Sequence, residues 1–471
     1  MASPVAPNTG QTAFYRRLAT ASTIGKMVGL YGLLILLGAV ALWHPVTHRP
    51  GVSIGFLDAL FVATSAACVT GLSTVNVGET FSPAGEAVLL GLIQLGGLGI
   101  MTAGTLFLLY RGRGLSSRGA EFIGANVGRL RSARPLDIFI YALVLVLSWE
   151  AFGTVALTYL IVTRSETADF GSALWEAAFH SVSAFCNAGI STYPEGLLRW
   201  RDDPLVLGVF VLLVVAGGIG LMTLVNFRYY YWWRRDRLKR GQLTLQTRIC
   251  LLTSAGLLLW GTLFTLAGET DHTLKEQPLG SALGWSLFHS AMTRTAGYNV
   301  VDLGQMSPST LFGSLPLMLI GGSPGSMAGG IKVTTFVLLA LSAWTALRRR
   351  SQMVLGRATL PASQAHTSVM LLLVTAAILF GTLALLLHTE AGQAASRTPH
   401  GWLAVIFEAV SAFATVGLST GITGDLTPAG KGLIMLLMFV GRLAPLCLAM
   451  HLAQPPLDPR IQFPEEEVAV G

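Results

Sequence analysis

Apolar residues in this chain do not alternate with polar ones; they gather in long blocks separated by short polar or basic connections. A helix needs roughly 20 apolar residues to cross a hydrocarbon core. Blocks of that length lie near 23–43, 83–110, 136–163, 204–227, 247–268, 308–347, 367–388 and 428–452, which predicts eight spans. Four further apolar blocks, 55–67, 172–185, 281–292 and 401–413, are too short to cross, and each sits between two spans. They read as re-entrant helices.

Behind each short block stands a loop, and the four loops resemble one another. The stretch VTGLSTVNVGETFSPAGEAVL from Val69 and the stretch TVGLSTGITGDLTPAGKGLI from Thr415 share Gly-Leu-Ser-Thr and a later Pro-Ala-Gly. CNAGISTY at 186–193 and TRTAGYNV at 293–300 occupy the corresponding places, so that Gly71, Gly189, Gly297 and Gly417 align. Downstream of each comes a capping residue and a proline: Ser82-Pro83, Asp203-Pro204, Ser307-Pro308 and Thr427-Pro428. The side-chain oxygen caps free N–H groups, and proline at the first helical position lacks the donor that would be orphaned there. Thirteen residues beyond each proline stands another glycine: Gly96, Gly217, Gly321 and Gly441.

The predicted fold is all-α and polytopic, with four tandem span–pore-helix–span repeats in pseudo-fourfold arrangement around one ion pore. Expected boundaries are a cytoplasmic segment 1–22, repeats at 23–113, 114–229, 230–350 (second span broken) and 351–452, and a cytoplasmic tail 453–471.

Composition agrees with a membrane location: 12% of residues are charged, against roughly 25% in soluble domains. Most of the 31 lysines and arginines fall before the first span or in the connections 109–135, 228–248 and 346–366. Basic residues in short loops stay on the cytoplasmic side, which puts both termini in the cytoplasm of a multi-pass plasma (inner) membrane protein. The same bias, with attraction to anionic lipid, accounts for the net charge of +7 without nucleic acid. The first block is expected to be a span and not a cleaved leader. Cys68, Cys186, Cys250 and Cys447 fit neither a metal spacing nor a disulfide framework. No nucleophile and base pair and no phosphate-binding loop is apparent in the sequence, so an enzyme is not expected.

A lone glycine in an apolar segment is ordinarily a packing contact. Four aligned ones, each behind a short helix, read as a selectivity filter. Irregular backbone at membrane depth survives where it lines a cavity, and four loops can aim rings of carbonyl oxygens at an axis, as the TVGYG loops of potassium channels do. The candidate ion ligands are Val69, Thr70 and Gly71; Asn187, Ala188 and Gly189; Thr295, Ala296 and Gly297; and Thr415, Val416 and Gly417.

A second candidate element is the segment 321–330, five of whose ten residues are glycine. A continuous helix through it is unfavourable, and it reads as a gate formed by Gly321, Gly322, Ser323, Gly325, Ser326, Gly329 and Gly330, with Lys332 at its edge. Arg442 follows Gly441 where the other repeats carry Gly97, Gly218 and Gly322. A lipid-facing arginine at that depth costs at least about 2.5 kcal/mol, so Arg442 is expected to face the pore or the gate. His180 and His289 are expected to cap or pack their helices, and Glu408 to find a structural partner such as Arg294. The aromatic run 229–233 reads as an interfacial belt.

The loops TAGYN and TVGLS, the segment GGSPGSMAGGIK at 321–332 and the arginine in the last span resemble the Trk/Ktr/HKT superfamily of potassium transporters, over roughly 23–452. With few residues before the first span, the chain is most similar to Ktr-type membrane subunits. The resemblance implies potassium uptake by a homodimer whose protomers each hold a pore. It also implies a cytoplasmic ring of RCK-type regulatory subunits as partner, with any nucleotide bound on that partner only and no covalent cofactor. No connection between spans is long enough to supply such a domain. Met327 stands where relatives usually have threonine. The alternatives are a sodium-permeable transporter of the same superfamily, against which Gly71 argues, and a secondary transporter with broken helices.

Overall fold

The computed structural model describes residues 9–112, 135–164, 169–233, 243–356, 358–391 and 399–452. The basic connections at 113–134 and 234–242, the tail beyond 452 and the side chains of 229–233 lie outside the described residues.

The chain is almost entirely helical. A first group comprises α1 (Thr9–Trp43), α2 (Phe56–Cys68), α3 (Val77–Thr80) and α4 (Pro83–Gly112). The second holds α5 (Pro135–Arg164), α6 (Phe170–Phe185), α7 (Pro204–Ile219) and α8 (Leu221–Trp233). In the third are α9 (Leu245–Glu269), α10 (Leu279–Met292), α11 (Pro308–Leu319) and α12 (Val333–Leu347). A small hairpin of β1 (Met353–Leu355) and β2 (Ala358–Leu360) precedes the fourth, which consists of α13 (Ala362–Glu390), α14 (Trp402–Ala414) and α15 (Pro428–Leu452).

Among the described residues six helices, α1, α4, α5, α9, α13 and α15, are long and apolar enough to cross a membrane. Helices α2, α6, α10 and α14 have 13, 16, 14 and 13 residues and are too short. Leu30 on α1, Val155 on α5, Leu252 on α9 and Phe380 on α13 are exposed, which suits lipid and not water. The short helices are instead buried: Phe61, Ala63 and Ala67 of α2 and Phe407, Ala412 and Ala414 of α14 have no exposed surface. The core therefore sits at the centre, among the short helices, with long helices outside. This is a multi-pass membrane protein.

Two of the eight expected spans are not continuous. The interruption between α11 and α12 falls on the glycine-rich segment, as its composition predicts. The second interruption is a correction: 204–227 reads as one span, yet α7 and α8 meet at a bend of 102°. Its cause is non-local. The carbonyls of Gly217 and Gly218, which in a straight helix would accept from Leu221 and Met222, accept from the amides of Met327 (3.1 Å) and Ser323 (2.9 Å). The amide of Leu221 is taken by Gly325 O at 3.1 Å, and Gly220 turns the corner at φ 89.

Within each group, the residue before the proline that opens the second long helix is tied to the end of the first, by three different chemistries. Ser82 N donates to Thr47 O (2.9 Å). Arg164 pairs with Asp203 (3.3 Å), while the buried carboxylates of Glu269 and Glu390 accept from Ser307 N (2.9 Å) and Thr427 N (3.2 Å). We call the face where these ties lie the upper face. Neighbouring groups are joined there as well. Trp175 Nε1 donates to Glu86 (2.6 Å), Trp285 Nε1 to Arg201 O (2.7 Å), His400 Nε2 lies 2.8 Å from Gly304 O, and Lys431 pairs with Asp58 at 2.8 Å. The last of these joins the fourth group back to the first.

Candidate functional site

Each short helix ends in a turn of the same kind. Val69, Asn187, Thr295 and Thr415 all have positive φ (55°, 60°, 71° and 51°), and the glycine two residues on is positive again at Gly71, Gly189, Gly297 and Gly417. Three of the four non-glycine residues are β-branched, for which this region is unusual and costs on the order of 1–3 kcal/mol. The conformation is held by the helix end. Thr70 N donates to Ser65 O (2.8 Å), Ala188 N to Ser183 O (2.7 Å), Ala296 N to Met292 O (3.0 Å) and Val416 N to Ser411 O (2.8 Å). With the amides turned back on the helix, the loop carbonyls are left to face elsewhere.

They face the neighbouring loops. A Cβ placed on Gly71 would lie 2.6 Å from Ala188 O, one on Gly189 2.5 Å from Ala296 O, and one on Gly297 2.5 Å from Val416 O, while one on Gly417 would strike Thr70 O. The sequence of neighbours closes on itself: 71, 189, 297, 417 and 71 again. All twelve predicted filter residues are thus brought into one cluster. Within it the side-chain oxygens of Thr70, Asn187, Thr295 and Thr415 are buried and have no hydrogen-bond partner among the described residues.

Serines at a fixed place on the short helices complete the turns and were not singled out in the sequence. Ser65 Oγ accepts from Gly71 N (3.0 Å), Ser411 Oγ from Gly417 N (3.1 Å) and Ser183 Oγ from Ile190 N (3.1 Å). Their signal is a serine six residues before three of the four aligned glycines; the third group has Ala291 there.

The glycines thirteen residues past each proline serve packing. A Cβ on Gly96, Gly217 or Gly441 would collide with the carbonyl of Ala67, Phe185 or Phe413, at the ends of α2, α6 and α14. Gly321 departs from the pattern because α11 has already ended; it faces Gly329 within its own loop.

The segment 321–330 folds as a buried plug against this cluster. Gly321 N bonds Ile331 O (2.9 Å) and Val333 N bonds Gly322 O (3.1 Å), so the segment doubles back on itself, with Gly325 and Gly330 at positive φ. Gly329 packs on the Thr415 side chain, directly against the fourth filter loop. Three cations hold the plug by its carbonyls. Arg442 Nη1 donates to Met327 O (2.5 Å), Lys332 Nζ to Ala328 O (2.5 Å) and Arg294 Nη2 to Gly321 O (3.4 Å). Arg442 is 3% exposed and faces the plug, not lipid.

Two expectations need correction. Arg294 is not the partner of Glu408: it bonds Ser254 O and Oγ, both at 3.1 Å, besides Gly321 O. Arg294 follows the end of α10, level with the plug, whereas Glu408 lies inside α14, nine residues before its glycine. Glu408 Oε1 instead accepts from Thr423 Oγ1. His180 does more than pack, since Nε2 lies 3.0 Å from Ser191 Oγ in the loop. His289 does fasten helices together, with Nε2 3.2 Å from Ser314 Oγ on α11.

The TrkH cation transport proteins match this chain over residues 35–456. The chain belongs to the TrkH family. Similar TrkH-family and Ktr relatives cover nearly its full length. Ktr system potassium uptake protein B of Vibrio alginolyticus is 35% identical over 93% of this chain and 92% of that protein. Ktr system potassium uptake protein D of Bacillus subtilis (strain 168) is 32% identical over 97% and 99%. Potassium/sodium uptake protein NtpJ of Enterococcus hirae is 32% identical over 93% and 95%. Among solved structures, the potassium transporter TrkH from Vibrio parahaemolyticus matches with a TM-score of 0.67 at 20% identity, over 90% of this chain and 82% of that one, which bears on the fold. TrkH-family members are ion transporters, and this chain is a membrane transporter of that family.

Proposed function

We propose that the chain takes up potassium ions across the plasma membrane, through a pore on the axis that the four loops surround. Its wall is four span–pore-helix–span repeats, the upper face being outside and both termini cytoplasmic. The observation that carries this reading is the closed cycle of approaches from each loop glycine to the carbonyl of the next loop. Four backbone segments gathered round one point can replace a cation's water shell. The unpaired buried oxygens of Asn187, Thr295 and Thr415 support it, because an unsatisfied buried polar group is costly and a dehydrated cation would satisfy it. Potassium also appears in the names of the relatives.

The plug 321–330, with Lys332 and Arg442, serves as the gate. Because the relatives are named as parts of a Ktr system, we assign the chain a cytoplasmic RCK-type regulatory ring as partner and a homodimeric assembly, nucleotide binding to the ring alone. Flux of potassium, rubidium, caesium and sodium into liposomes containing the purified protein tests the reading. Potassium and rubidium should pass at least tenfold faster than sodium, an advantage of about 1.4 kcal/mol; equal rates would refute potassium selectivity. A second reading, a pore passing both potassium and sodium, is favoured by the likeness to the potassium/sodium uptake protein, and the same assay separates the two.

A further inference from the structure

Although the four loops share a backbone, their outer ends are held in two different ways. Two residues past each loop glycine stand Ser73, Ser191, Asn299 and Ser419; nine residues before it, on the short helix, stand Val62, His180, Phe288 and Glu408. In the first and third groups, among the described residues, the outer residue bonds only to its own loop. Ser73 Oγ donates to Val75 O (2.6 Å), and Asn299 Nδ2 to Val301 O (3.3 Å).

The second and fourth loops are tied to the short helix. Nδ1 of His180 lies 2.8 Å from Glu176 O, which can only accept, so Nδ1 carries the proton. In the neutral ring Nε2 is then an acceptor, and it receives the hydroxyl of Ser191 at 3.0 Å. The ring is clamped between Tyr193, stacked at 4.3 Å, and Phe210, edge-on at 6.0 Å. In the fourth group Thr423 Oγ1 donates to Glu408 Oε1 and lies 3.0 Å from Ser419 Oγ. Thr423 Oγ1 is the donor toward both, so its one proton is shared between Glu408 and Ser419. The tie runs from Ser419 through Thr423 to Glu408.

Both anchors are 1% exposed, and the fold does not require polarity there, since Val62 and Phe288 fill the same register. In the order of neighbours around the cluster, the second and fourth loops are diagonal to each other. We propose that His180 and Glu408 are positioning residues that tie the outer ends of two diagonal filter loops to the protein core and thereby set the discrimination between potassium and sodium. This rests on reading the four loops as a filter. A loop fixed at its outer end resists closing round the smaller ion; among the described residues the first and third loops have no such tie.

The test replaces each anchor by the residue that holds its register elsewhere: Glu408→Val and His180→Phe, in purified protein in liposomes, with sodium and potassium fluxes read separately. Loss of one buried tie should raise the sodium-to-potassium flux ratio by about tenfold. Glu408→Gln keeps an acceptor oxygen for Thr423 and should restore the ratio. Ser419→Ala and Ser191→Ala cut the same ties without touching the buried anchors, and they decide the matter should Glu408→Val or His180→Phe fail to fold. A fall in both fluxes at constant ratio, or an unchanged ratio in Ser419→Ala and Ser191→Ala, overturns the proposal. Gly417→Ser is the control. If it shifts the ratio while the tie variants do not, only the positioning role falls; if it leaves the ratio unchanged too, the filter reading fails with it.

Discussion

Nη1 of Arg442 stands 2.5 Å from the carbonyl oxygen of Met327, so α15 grips the centre of a segment that has no helix of its own. Nε and Nη2 of the same guanidinium are buried and without hydrogen-bond partners among the described residues. A fixed positive charge therefore lies beside the plug with only part of its bonding capacity used.

Removing that charge should loosen the plug. A hydrogen bond from a charged group is worth about 1.5–3 kcal/mol, so Arg442→Ala should raise potassium flux by about tenfold or more. Arg442→Lys keeps the charge but not the fork and should fall between. Liposome flux checks both; Arg442→Ala protein that folds normally and transports no faster would leave Arg442 a purely structural role.

The bend between α7 and α8 gives a second handle on the plug. Gly220 has φ 89, and a Cβ there would lie 2.9 Å from Pro324 O. Gly220→Ala should destabilise the bent state by about 1–3 kcal/mol from the positive-φ backbone alone. Hydrogen exchange should then quicken at the amides of Ser323 and Met327, which donate into α7. Unchanged exchange at those two amides would mean that the plug does not depend on the bend.

What the sequence disclosed and what it hid differ in physical kind. Gly71, Gly189, Gly297 and Gly417 were legible because a positive φ against a neighbouring carbonyl admits only glycine, and the demand recurs four times. The caps before Pro204, Pro308 and Pro428 were legible because capping is local, whereas Ser82 Oγ donates to Val46 O instead. The break at Gly220 was not, since 204–227 is predominantly apolar and the bonds that bend it come from residues more than a hundred positions later. The ties between groups were hidden because Glu86 with Trp175, Arg201 with Trp285, Gly304 with His400 and Lys431 with Asp58 do one task with four chemistries. Arg294 was misjudged because opposite charge suggested Glu408, whereas the oxygens of Ser254 on α9 and the carbonyl of Gly321 were nearer.

The pair Lys431–Asp58 closes the ring where the chain cannot, since the first and fourth groups are farthest apart in sequence. Its side chains are 14% and 27% exposed, and a pair of this kind contributes up to about 1 kcal/mol. Lys431→Met and Asp58→Asn should each lower the melting temperature in detergent, and the double variant should lower it no further than either single. The exchange Lys431→Asp with Asp58→Lys should recover part of the loss. Additive losses in the double variant would show that the two residues act independently.

The two sets of aligned glycines should fail in different ways when given a methyl group. At Gly96, Gly217 and Gly441 an added Cβ meets the carbonyl at the end of a short helix, inside the packed wall; alanine there should reduce the yield and melting temperature of folded protein, while whatever folds keeps its ion preference. At Gly71, Gly189, Gly297 and Gly417 the backbone is left-handed, and the Cβ falls on a carbonyl of the next loop. The conformational cost for alanine is about 1–2 kcal/mol, and the Cβ must also displace a backbone carbonyl of the next loop, so these variants should lose stability as well. Their carbonyls can no longer keep the same spacing, and potassium flux should fall or sodium flux rise. Melting temperature and the sodium-to-potassium flux ratio, measured on all seven variants, separate the sets. If the loop-glycine variants lost only stability, or Gly96→Ala changed the flux ratio while remaining stable, the division of the glycines into pore and packing positions would be wrong.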